Sequence, residues 1–87
     1  MNRKLLAELE LLSPPGDTIR EALEHYELSV ERFGEFMEMS EPLVEALLSG
    51  ALPLTGDIAE RLEKVLHIDR QFWINRELNY RREKACL

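Results

Sequence analysis

Apolar residues along this chain recur at helical spacing. Leu5, Leu6, Leu9 and Leu12 fall at i, i+1, i+4 and i+7, one stripe of an amphipathic helix over residues 1–13. Ser13-Pro14-Pro15-Gly16 stops that stretch. A second helix is expected from about Pro15, because proline's missing N–H costs nothing in a first turn; it carries Ile19, Ala22, Leu23 and Tyr26 inward. Leu28-Ser29 breaks and restarts the pattern, with Ser29 as cap and Val30, Phe33 and Met37 as the buried face. Ser40 repeats the capping and Pro42 sits in the following first turn; Val44, Leu47 and Leu48 point inward and Gly50 ends the segment. Thr55 caps a helix holding Ile58, Leu62, Val65 and Leu66, and Asp69 caps a last one holding Phe72, Trp73, Leu78 and Tyr80. No stretch alternates as a strand would. The expectation is an all-α fold of five helices over residues 14–87, with an additional N-terminal helix over residues 1–13.

Eighty-seven residues make one small domain, which needs efficient packing, a staple or a partner. Cys86 is the single cysteine, so no disulfide can form within the chain and no cysteine cluster can hold zinc. A reducing, cytoplasmic setting is expected. There is no apolar run of membrane-spanning length, and Glu8 and Glu10 interrupt what would otherwise follow the basic start of a signal peptide. The net charge of −6 is unevenly spread: residues 17–60 hold eleven acids against Arg20 and Arg32, and residues 61–87 carry a small positive excess. That balance argues against generic affinity for nucleic acid or anionic membrane. No serine or cysteine stands near a histidine in a nucleophilic arrangement, and so small a bundle offers little room for a concave site, so the chain is not read as an enzyme and no cofactor is expected. His25 and His67 have no partner at metal-ligand spacing and read as surface or cap-region residues.

The informative local feature is a pair of capped helices, Ser29 to Met37 and Ser40 to Ser49, separated by a very short link. This suits a helix-turn-helix, in which the second helix lies across the first. Gly34 would permit the close crossing; a helix-interior glycine costs about 1 kcal/mol relative to alanine and therefore wants a packing reason. The alternative is an ordinary helical hairpin.

The segments Pro15-Gly16-Asp17, Ile19-Arg20-Glu21, Leu28-Ser29, Pro53-Leu54-Thr55 and Arg61-Leu62 accompany Ser40, Pro42, Val44, Leu47-Leu48-Ser49-Gly50, Ala59 and Leu66. They are followed by Gln71-Phe72-Trp73-Ile74-Asn75 and Asn79-Tyr80, the most specific part of the pattern. Together, over about residues 14–80, they resemble the HigA antitoxin group of the phage-repressor-like (XRE) helix-turn-helix proteins. The resemblance implies a homodimer that binds operator DNA, represses its own operon and neutralises a small toxin protein.

By position in that family, the DNA-facing residues are Ser29, Arg32, Ser40, Glu41, Leu43 and Glu45. Their chemistry departs from what the role demands. Base readout uses arginine, lysine, asparagine or glutamine, and none stands between Ser40 and Pro53. Residues 50–53, where a basic pair usually approaches phosphate, read Gly-Ala-Leu-Pro, and Glu38 replaces the glycine usual in the turn. Glu31, Glu35 and Glu38 form an acidic ridge. Two functions therefore stand side by side: a HigA-like antitoxin and regulator, and an acidic protein-interaction module on the same scaffold that binds a basic partner, a toxin included, with little or no DNA binding. Leu43 and Leu52 form a small candidate apolar patch, the leucine stripe either docks on its own domain or packs between chains, Phe72 and Trp73 read as core or dimer residues, and Cys86 is expected to be exposed.

Overall fold

The computed structural model describes residues 13–85. Among them are five helices and no strand: α1 (Pro15–His25), α2 (Val30–Met37), α3 (Glu41–Ser49), α4 (Gly56–Leu66) and α5 (Arg70–Ala85). Residues 1–12, with the leucine stripe, and Cys86 lie outside the described residues.

Local chemistry accounts for most helix ends. Ser29 Oγ accepts the Arg32 amide at 3.1 Å, Thr55 Oγ1 accepts that of Ile58 at 3.3 Å, and Asp69 Oδ1 accepts that of Gln71 at 2.7 Å. Ser40 differs from expectation. Its backbone has the extended N-cap geometry, yet its side chain accepts no amide. Pro42 lies in that first turn, and a proline has no N–H to offer. At the other ends, Glu27, Glu38 and His67 adopt left-handed φ values of 55°, 57° and 60°. Such a conformation costs a non-glycine residue about 1 kcal/mol or more. Only Glu38 was suspect from the sequence.

The helices close on Ile19, Phe33, Met37, Val44, Leu47, Leu48, Leu62, Leu66 and Trp73, all fully or almost fully buried. Helix α1 packs on α3, α2 on α3 and α4, and α5 on both α4 and α1, so the α2–α3 pair is backed by α1 on the α3 side and by α4 on the α2 side. Three expected core positions turn out differently. Tyr26 is 49% exposed, because α1 ends at His25 and Tyr26 has become its cap residue. Phe72 and Leu78 are 41% and 60% exposed. The buried stripe of α5 is instead Trp73, Glu77 and Tyr80, at i, i+4 and i+7, which directs their neighbours outward. Leu52, expected in an exposed patch, is half-buried and packs against the core.

Arginines tie the helices together through main-chain carbonyls. Arg76 donates to Ser13 O at 3.0 Å, to Pro14 O at 3.1 Å and to Thr18 Oγ1 at 3.0 Å, joining α5 to the start of α1. Arg81 donates to the Gly50 carbonyl at 2.7 Å and to Glu77 Oε2 at 2.7 Å, so the buried Glu77 carboxylate is paired. Arg61 donates to Met37 O at 2.8 Å, placing a cation at the negative end of α2, whose own last turn has none.

Candidate nucleic-acid interface

The surface that would meet DNA is built by how α3 crosses α2. The turn closes with two backbone bonds, Glu38 N–H to Glu35 O at 3.1 Å and Met39 N–H to Gly34 O at 2.9 Å, with Glu38 in the left-handed region. Val44 then seats against Gly34: a Cβ added at that glycine would stand 3.3 Å from Val44 Cγ2 and 3.2 Å from Met39 O. That contact is the packing reason for a glycine inside α2. It brings α3 close against α2 at this point.

With Val44, Leu47 and Leu48 committed to the core, Ser40, Glu41, Leu43 and Glu45 are all exposed on the outer side of α3, Leu43 at 47%. Ser29 and Arg32 are exposed on the first turn of α2. The structure thus exposes all six predicted residues on the two helices expected to present them. Ala46, next to Glu45 on α3, is half-buried.

The electrostatics of this face are unfavourable to phosphate. A depression between α2 and α3 is lined by Glu31, Glu35 and Glu41 together with Val30, Gly34, Met39 and Val44. The two nearby arginines are each engaged by a carboxylate: Arg32 Nη1 lies 3.6 Å from Glu35 Oε2, and Arg20 Nη2 lies 4.0 Å from Glu45 Oε2. Exposed pairs of this kind are worth only about 0–1 kcal/mol, so either arginine can swing away, but their positive charge is locally offset. The Arg20–Glu45 contact joins α1 to α3 and has no signal in the sequence. Among the described residues there is no cluster of metal-ligating side chains, and no helix is long and apolar enough to cross a membrane.

The comparisons with known proteins agree with this geometry. The solved structure of an addiction module antidote protein of the HigA family from Coxiella burnetii superposes with a TM-score of 0.75 at 29% identity, over 82% of this chain and 78% of that one. In fold, and at this identity in sequence, the chain is similar to a HigA-family antidote protein. A Nostoc punctiforme structure described as an antidote protein of a plasmid maintenance system superposes with a TM-score of 0.76 at 26% identity, over 83% of this chain and 79% of that one. The uncharacterised HTH-type transcriptional regulator YddM of Escherichia coli K12 is 34% identical over 61 residues, and the match spans 70% of this chain and 65% of that regulator's length. No family model matches the chain. These relatives are described as antidote proteins and as a transcriptional regulator.

Proposed function

We propose that this HigA-like protein is a cytoplasmic antitoxin and transcriptional regulator, which dimerises, contacts the operator of its own operon through α3 and the start of α2, and neutralises a partner toxin. The single observation that supports the DNA-facing role is the seating of Val44 on Gly34, which holds α3 across α2 with Ser40, Glu41, Leu43 and Glu45 outward. The free amides at the starts of α2 and α3 would attract phosphate, and Glu31 and Glu41, beside those ends, offset much of that attraction. With few cations available, few phosphates are neutralised. The isolated protein therefore binds its upstream DNA weakly, in the micromolar range or above at physiological salt, with a shallow salt dependence of about 0.9 log units per phosphate neutralised.

The second reading, an acidic protein-interaction module with little or no DNA binding, is favoured by the engagement of both Arg20 and Arg32 by glutamates. Anisotropy titration of the upstream DNA at two salt concentrations decides between the two. Sequence-selective binding, even weak, supports the regulator; indifference to sequence at low salt leaves the interaction module. Sedimentation at micromolar concentration should report about twice the 10.2 kDa chain mass, and a monomer throughout would remove dimerisation from the proposal.

A further inference from the structure

A second surface lies away from α3. The last turn of α1, the C-terminal half of α2 and the last turn of α4 leave an open groove of about 420 Å³ lined by Tyr26, Leu28, Phe36 and Val65, with Lys64 and His67 at its edge. Tyr26 and Phe36 expose 49% and 57% of their surface there. One exposed aromatic means little, whereas two around a half-buried aliphatic floor make a contiguous patch. The Tyr26 wall is fixed: its hydroxyl donates to Leu66 O at 3.1 Å, so its polar atom is satisfied and its ring is left as apolar surface.

The charge around the groove is ordered. An adjoining depression shares Phe36, Lys64 and Val65 and adds Glu38, Asp57, Glu60 and Arg61. Asp57 and Glu60 are paired with Arg61 at 3.3 Å and Lys64 at 3.6 Å. Glu38, which lines that adjoining depression with Phe36, makes no ion pair among the described residues. An apolar floor whose uncompensated rim charge is negative suits apolar side chains carried next to lysine or arginine. A helix with one apolar face and cationic flanks has that arrangement, and grooves between helices receive such helices.

We propose that the Tyr26–Phe36 groove docks a cationic amphipathic helix of a partner protein. The proposal rests on the antitoxin reading for the existence of that partner, and it places the partner apart from α3: Phe36 faces α4, while Glu31 and Glu35 of the same helix face α3. DNA and partner could then be held together.

The probe is a fluorescein-labelled peptide of about five helical turns, with leucine at i, i+3, i+4 and i+7 and lysine elsewhere. The same composition in scrambled order and a leucine–glutamate version serve as controls. All are titrated with the full chain by anisotropy. Saturable one-to-one binding of the patterned peptide is expected, weakened at least tenfold by Phe36→Ser or by Tyr26→Ser and severalfold by Glu38→Gln. Phe36 is more than half exposed, so its variant should keep the parent's circular dichroism; Tyr26→Ser is a second, independent wall variant. Equal binding of the scrambled peptide, or binding indifferent to both wall substitutions, would show attraction by charge alone and overturn the proposal. Binding that appears only after Leu6→Asp with Leu9→Asp would assign the groove to the chain's own leucine stripe, and binding that weakens as the protein concentration rises would assign it to a second copy; either overturns it. The DNA titration is read separately, so a failed groove leaves the regulator reading standing and a failed operator leaves the groove.

Discussion

Gly16 rests directly on the backbone of Leu48. A Cβ built on Gly16 would overlap the Leu48 carbonyl group, which belongs to main chain and cannot rotate away. This contact sets how closely α1 approaches α3, and hence how the helix that presents Glu41 and Glu45 is backed. Gly16→Ala must push the two helices apart. Overpacking of this kind costs typically about 1–3 kcal/mol, and the rigid partner argues for the upper end. Denaturant unfolding of the variant should show it; a midpoint equal to the parent's would mean that α1 does not sit so close.

Leu47 is 2% exposed beside Val44 in the core under the helix crossing. Leu47→Ala should cost about 2–5 kcal/mol in the same assay. A loss below about 0.5 kcal/mol, the size of an ordinary surface substitution, would contradict the packing of α3 described above.

Arg76 holds the start of α1 through Ser13 O, Pro14 O and Thr18 Oγ1. Arg76→Met keeps much of the aliphatic stem and removes every donor. A loss of about 1.5–3 kcal/mol is expected, as for hydrogen bonds from a charged group. Amide hydrogen exchange should localise it, with protection falling first in α1. Uniform loss over all helices would mean that the arginine acts on global stability instead.

Glu63 joins the end of α4 to the start of α5. The Arg70 backbone N–H first, and then its guanidinium, hold the Glu63 carboxyl below the usual carboxylate range, with N–H···O at 3.0 Å and Nη2···Oε1 at 2.8 Å. A carboxyl whose pKa is lowered on folding contributes stability above its unfolded value, and that contribution is lost as pH falls through the folded one. Glu63→Gln should therefore be less stable than the parent at neutral pH, with the difference shrinking as both are acidified. A gap that stays constant through the acid limb would show that Glu63 does not titrate in this way.

Glu41→Gln with Glu45→Gln removes two negative charges from the outer face of α3 and releases Arg20 from its pair. Non-specific DNA affinity should rise and its salt slope should steepen, since one more cation is available to phosphate. Unchanged affinity at low salt would show that α3 does not meet DNA. Nanomolar, sequence-specific binding by the unmodified protein would show that acidic residues here are no obstacle.

The helices and most of their inward faces follow from local spacing and capping chemistry alone. Caps at Ser29, Thr55 and Asp69, the proline at 42 and the 3.6-residue spacing of Val44, Leu47 and Leu48 act within a few residues, so they are legible without tertiary information. Gly34 pointed to a close neighbour, because a glycine inside a helix is locally unfavourable, but local spacing left a crossing and a plain hairpin both open. What the sequence could not decide depends on groups far apart in the chain. Tyr26 read as core and Phe72 as core or dimer contact, but helix ending and the rotation of α5 turned both outward. The Arg20–Glu45 pair, the reach of Arg76 and Arg61 to distant carbonyls, and the meeting of Tyr26 with Phe36 in one groove arise only when helices pack. A carbonyl acceptor is the same group at every position, and an aromatic ring becomes surface or core according to which helix arrives beside it. Neither is written in local spacing, and tertiary packing alone brings them together.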